Sequence, residues 1–252
     1  MASRADLIAY CRERLEPERY RDVAANGLQV EGAAEVERLA VAVSTSAHTI
    51  GQAAEWGAQA MLVHHGLLWG GGLQPLTGIL GGRLRELFTH DINLIAYHLP
   101  LDGHPEIGNN ALLARDLGLS VEGQFGEVAG VPLGVIAAPA EEQPFDEFLG
   151  AVARLVERAP LVVGEIGGSV RRVGILSGSG YSALAEAAEL GCDALLTGDI
   201  REPTMAEARE LGIAVIAAGH EATERLGVQA LAAELAREFD IETRFFHDPN
   251  PV

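Results

Sequence analysis

The sequence predicts an α/β protein built as two similar α/β domains, the product of an internal duplication, with mostly parallel sheets. Three observations predict it. Short apolar runs alternate with amphipathic stretches along the chain, the order expected of strands connected by packed helices. One strand-helix-strand pattern occurs twice, and 252 residues suffice for two modest domains or one large one.

In order, residues 38–43 (Arg-Leu-Ala-Val-Ala-Val) read as a buried strand, 49–56 as a helix stopped by Gly57, and 60–63 as a second strand running straight into His64. The pattern returns as a strand over 172–176, a Ser-Gly-Ser-Gly turn, a helix over 181–190 stopped by Gly191, and a strand over 194–197. The two copies align without gaps at a constant offset of 134, pairing Arg38 with Arg172, Ala53 with Ala187, Glu55 with Glu189, Gly57 with Gly191, Ala60 with Ala194 and Leu62 with Leu196. Each half then adds a strand, 92–97 and 213–217, and a helix, 109–117 and 223–239. In the last helix Val228, Leu231, Leu235 and Phe239 share a face. The stretch 120–169, with four prolines, contains a strand-like piece at 132–138 and a helix at 145–157, and links the halves. The expected domains are 1–125 and 126–252.

Composition excludes several classes. All eighteen basic residues are arginine, which removes Schiff-base, pyridoxal-phosphate and Walker-type phosphate chemistry, each of which needs lysine. A formal net charge of -18 disfavours non-specific nucleic-acid binding. Residues 3–22 mix charge with apolar side chains and lack the apolar segment of a secretion signal, and no run is long enough to span a bilayer. A cytoplasmic, membrane-free location is the expectation. Cys11 and Cys192 stand in no metal or redox spacing and read as buried small apolar residues. Gly178-Ser179-Gly180 lacks a dinucleotide fingerprint and reads as a tight turn, as does Asn26-Gly27-Leu28-Gln29.

Five of the eight histidines cluster in three segments: Val63-His64-His65-Gly66, Tyr97 to His104, and Gly219-His220-Glu221-Ala222-Thr223-Glu224. Imidazole mixed with carboxylate suits borderline divalent ions such as Fe, Zn, Mn, Co or Ni. All three segments begin where a predicted strand ends, the place where open parallel sheets bind ligands. Adjacent His64 and His65 point to opposite faces of a regular strand, so they divide more naturally between two ions than crowd onto one. His220 and Glu224, four residues apart, share a helix face if the helix starts near Gly219. Asp102 lies at another strand end, where a carboxylate can bridge. The candidate ligands are therefore His64, His65, Asp102, His220 and Glu224, enough for two divalent ions with open positions for water. His98, His104 and Asn109 read as structural, substrate-facing or supporting residues; His48, His90 and His247 have no supporting context.

Taken together, Asn26 to Val30, Leu62 to Gly66 with Trp69-Gly70, Tyr97 to His104 with Gly108-Asn109-Asn110, Thr197-Gly198-Asp199, and Gly219 to Arg225 resemble the Nif-three-like family. Its members are also described as dinuclear-metal-centre proteins and as type 2 GTP cyclohydrolase I homologues. The resemblance covers nearly the whole chain. It implies two similar α/β domains with the metals in the cleft between them, assembled as a toroidal homohexamer. It also implies one ion on His65, Asp102 and Glu224 and another on His64, His220 and Glu224, with hydrolysis of a small purine nucleotide such as GTP as the activity. Many members carry His-His where this chain has His220-Glu221, which adds negative charge beside the site. A metal pair serving a regulatory or scaffold hexamer, or a two-metal phosphoesterase, are the alternative readings.

Overall fold

The computed structural model describes residues 1–72, 74–164 and 167–252. Two compact units emerge, Met1–Leu101 with Gly227–Pro249, and Asp102–Leu226 with Asn250–Val252. They interleave along the sequence because the chain returns late to the first unit, where Glu242–Phe245 pairs in parallel with Arg38–Val41.

The first unit's sheet runs Glu242–Phe245, Arg38–Ser44, Ala60–His65, Asn93–Ala96, Gly27–Val30. Only the last pairing is antiparallel. The second unit's sheet has Val173–Leu176, Ala194–Thr197 and Ala214–Ala217 as a parallel centre, with Leu161–Gly164 antiparallel on one side and the hairpin of Val131–Pro139 and Leu119–Val128 on the other. Each unit therefore holds three consecutive parallel strands in the same order, the structural trace of the repeat at offset 134. The linking stretch contributes Val131–Pro139 as a full sheet strand rather than an edge piece.

The central strands are continuous apolar runs because both faces are covered. Met61, Val63, Leu94, Ile50 and Leu87 form the first core; Phe148, Val152, Ile175, Leu196 and Ile216 form the second. Local signals set the helix limits. Ala47–Trp56 starts two residues before the expected 49 because Ser46 and Thr49 cap each other's backbone N–H groups, and Gly57 at φ 75 ends it. The helix expected over 181–190 is a tight turn, Gly180–Ala183, followed by the α-helix Leu184–Glu189. The helix expected from 223 is likewise divided: a single turn, His220–Thr223, precedes Arg225–Phe239, and Glu224 sits between them at φ -112, ψ 9. Cys11 and Cys192 are buried free thiols, and burial pushes them up to about 12 and about 11. Among the described residues no helix is long and apolar enough to cross a membrane.

Candidate metal centre

In the first unit, Ala60–His65 is buried through His64 and delivers both histidines at its carboxyl end. The strand stays regular through His65, with the two ring centroids 4.7 Å apart. His64 Nδ1 donates to the Tyr97 carbonyl at 3.0 Å, which fixes the proton on Nδ1 since a carbonyl only accepts. His65 Nδ1 lies 2.9 Å from Ser44 Oγ, on the neighbouring strand. His98 follows the strand Asn93–Ala96, and its Nδ1 donates to Asp22 Oδ1 at 2.9 Å.

Asp22 is deeply set. Its carboxylate also accepts from the backbone N–H groups of Ala24 and Leu99, both at 2.9 Å, and from the Asn26 amide at 3.0 Å. Burial alone would raise its pKa, but the His98 imidazole, Ala24 N–H and Asn26 amide outweigh burial and hold it at about 2. Asn26 in turn accepts from the His98 N–H at 2.8 Å. Gln29 Oε1 accepts from Leu67 N–H and Leu68 N–H at 2.7 and 3.1 Å, and a side chain at Gly66 would run into that same amide. Asn26 to Gln29 is therefore not the simple turn expected: it enters the edge strand Gly27–Val30, and its amides brace both histidine-bearing segments. The donor atoms of His64, His65 and His98 lie within 4.8 Å of one another.

The second unit carries the remaining candidates. His220 Nδ1 donates to Asp199 Oδ2 at 2.8 Å, and its Nε2 lies 3.3 Å from Glu224 Oε2. The expected i, i+4 pairing of His220 and Glu224 thus holds, across one turn and its cap rather than within a long helix. Burial would lower the pKa of His220; the Glu224 and Asp199 carboxylates outweigh it and raise it to about 9. Gly178, at φ 59, turns the chain so closely under this pair that a side chain there would strike the Glu224 carboxylate. The Gly178-Ser179-Gly180 turn is a turn, as expected, and its tightness makes room for the candidate ligands.

Asp102 lies in the short helix Leu99–Gly103. Its Oδ1 accepts from Asn109 Nδ2 at 2.9 Å and from Ser177 Oγ at 3.1 Å. Asn109 is thus a supporting residue. His104 Nδ1 accepts from the backbone N–H groups of Glu106 and Ile107, which gives it a loop-bracing role. Glu221, the departure from the familial His-His, is buried beside Arg225, whose Nε donates to it at 2.8 Å. A guanidinium neutralises the added charge. His48, His90 and His247 are exposed.

Sequence reasoning named the imidazoles but not their partners. Nothing in the sequence singles out Ser44 or Asp22, and Asp199 lies in the Thr197-Gly198-Asp199 motif with no role attached to it. Hydroxyl and carboxylate side chains carry no distinguishing sequence signal until the fold brings them against a ring nitrogen.

Fold and side chains define an α/β protein with clustered, oriented imidazoles and buried carboxylates, the donor chemistry of a divalent-metal site. The family model Duf34/NIF3 (NGG1p interacting factor 3) matches residues 2–251. The chain belongs to that family. A GTP cyclohydrolase 1 type 2 homolog of Pseudomonas aeruginosa is 44% identical over 249 residues, covering 98% of this chain and 97% of that protein. One from Deinococcus radiodurans is 42% identical over 246 residues, covering 98% and 93%. Among solved structures, protein ybgI, described as of unknown function, superposes with a TM-score of 0.93 at 38% identity over all of both chains. TTHA1606 from Thermus thermophilus does so with 0.89 at 34%, again over all of both chains.

Proposed function

We propose that the chain is a dinuclear divalent-metal hydrolase whose ions are held by His64, His65, Asp102, His220 and Glu224. The observation that carries this reading is that His64, His65 and His220 each have Nδ1 engaged by a protein oxygen. Metal-binding imidazoles are oriented in this way, with the second nitrogen given to the ion. Asp102 and Glu224, both buried, add oxygen donors. Buried carboxylates are costly unless a cation compensates them, so this donor set fits a divalent ion.

His65, Asp102 and Glu224 serve one ion; His64, His220 and Glu224 serve the other. Such ions supply Lewis-acid polarisation and bring the pKa of water toward neutrality. Asp199 and Ser44 hold the ligand rings in place, and Asn109 and Ser177 hold Asp102. The names of the relatives point to a purine nucleotide, GTP, as substrate, with hydrolytic opening of its imidazole ring as the reaction. The protein acts as a homohexamer. Exposed Leu76, Ile79 and Phe88 on and beside the helix Gly78–Thr89 support self-association, and light scattering that returned a monomer mass for the metal-loaded protein would remove the hexamer.

Protein stripped of metal and reloaded separately with Fe, Zn, Mn, Co or Ni should open GTP, measured by chromatography of the nucleotide. Glu224→Ala should abolish turnover and lower bound metal. A phosphoester panel run beside it tests the two-metal phosphoesterase. Metal-loaded protein that turns over neither class above the variant would overturn the hydrolase and leave a metal-holding scaffold or regulator.

A further inference from the structure

We propose that the groove between the helices Leu184–Glu189 and Thr204–Leu211 is a second ligand site, one for a guanine nucleotide, with Arg201 taking the phosphate, Tyr181 stacking on the base, and Glu207 and Glu210 accepting from its N–H edge. The site lies within the second unit and contains none of the candidate metal ligands, so it rests on neither the metal nor hydrolysis. Its place in the fold is the first argument. The strands Val173–Leu176 and Ala194–Thr197 are parallel neighbours, and each leads from its carboxyl end into one of the two helices. Ligands of open α/β sheets collect in such crevices. The cavity here is about 560 Å³, inside the range of about 300–1,000 Å³ that small-molecule sites occupy.

The second argument is how the turns deliver the polar groups. A side chain at Gly180 would strike Leu176 and Thr197, so the turn presses in between the two strand ends and brings Tyr181 to the groove. Arg201 is fixed at the start of the other helix, its N–H donating to Thr204 Oγ1 at 3.2 Å and its carbonyl accepting from Thr204 N–H at 3.1 Å. Its guanidinium lies 5.0 Å over the Tyr181 ring. That contact uses the charge and leaves the N–H donors to a phosphate.

The third argument is the division of charge. Arg201 stands at the strand-end mouth, while Glu207 and Glu210 lie one and two turns along the helix from Thr204. All three are exposed, and among the described residues none of them has an ion-pair partner. Between them Leu184 and Leu211 supply apolar walls. Opposite charges at the two ends of an apolar slot with an aromatic ring call for a flat ligand with an anionic group at one end and donors at the other. A carboxylate only accepts. Guanine presents N1–H and the N2 amino group side by side, whereas adenine places an acceptor nitrogen there, so the glutamates select guanine. In a chain of net charge -18, an arginine without a carboxylate partner also offers the phosphate a cation that is not already neutralised.

The test is equilibrium dialysis of full-length, chelator-stripped protein against GMP, AMP and guanosine at millimolar concentrations. Wild type should bind one GMP per chain, about tenfold or more tighter than AMP and tighter than guanosine. Arg201→Ala should weaken GMP about tenfold and erase its advantage over guanosine; Glu207→Gln combined with Glu210→Gln should erase its advantage over AMP. Glu224→Ala should leave GMP binding unchanged, and the groove variants should keep their metal content. Circular dichroism checks that each variant folds, and the three-ligand comparison on wild type needs no variant. The proposal is overturned if stripped wild type binds no GMP, if it binds GMP and AMP equally, or if folded Arg201→Ala binds as wild type does. GMP binding that is lost in Glu224→Ala and kept in the groove variants would place the nucleotide at the metal centre, which refutes the groove and leaves the hydrolase reading intact. Metal-loaded protein without turnover removes the hydrolase alone.

Discussion

Removing metal should leave His220 protonated through neutral pH and make the stability of the stripped protein depend on that proton. Burial disfavours the imidazolium, but Asp199 at 2.8 Å and Glu224 at 3.3 Å outweigh it, raising the pKa from 6.5 to about 9. A group whose pKa is higher folded than unfolded stabilises the fold while it is protonated. The contribution is complete below pH 6.5 and disappears as pH rises through 9. A difference of about 2.5 in pKa, at 1.36 kcal/mol each, is worth about 3 kcal/mol. The ring is 28% exposed, so solvent screens it only in part.

The assay is urea denaturation of chelator-stripped protein at pH 6.0 and 9.5, followed by circular dichroism, with His220→Gln alongside. Taking the difference between the two proteins cancels every other titrating group. Wild type should exceed the variant by about 3 kcal/mol more at pH 6.0 than at pH 9.5. A difference that stays constant across this range would refute the reasoning. Linkage supplies a second readout, because metal and proton compete for His220. At pH 7.5 that competition should weaken metal binding about 30-fold, and affinity should climb about tenfold per pH unit toward pH 9.

Gly178→Ala should lower bound metal and destabilise the stripped protein by more than about 1 kcal/mol, since the residue sits at φ 59 and a methyl there meets Glu224; metal analysis and urea melts check it. Phe148→Ala, at a fully buried position in the second core, should cost about 3–5 kcal/mol in the same melts. Asn93→Ala should cost about 2–4 kcal/mol in the first unit, because the side chain accepts from Gly32 N–H and donates to the Ala33 and Gln59 carbonyls, which would be left without it.

The central strands were legible because burial on both faces writes them as unbroken apolar runs. The expected 194–197 coincides with Ala194–Thr197, and 213–217 differs from Ala214–Ala217 by one residue. Edges were less legible. Nothing in Glu242–Phe245, with a charged residue at alternate positions, announces a parallel partner about two hundred residues earlier, because an edge strand is chosen by what the sheet leaves open. The divided helices escaped for a different reason. The apolar face that marks the expected helix 223–239 starts only at Val228, so it says nothing of the break at Glu224 between His220–Thr223 and Arg225–Phe239; periodicity records burial and is insensitive to a single residue leaving helical angles.

The candidate site separates along the same physical line. Histidine is scarce enough in this chain that clustering stands out, whereas Asp22 and Asp199 are two among thirty-six acidic residues. What singles them out is three-dimensional: each donates nothing and accepts the Nδ1 proton of a histidine. For a metal site this matters as much as the ligands, since a carboxylate behind the ring fixes its tautomer and its orientation. Asp22 and Asp199 do this in separate units, one behind His98 and one behind His220. The two carboxylates are thus the residues at which sequence reasoning should have expected help and had no means to choose it, and their removal tests the orientation of the imidazoles without deleting any ligand.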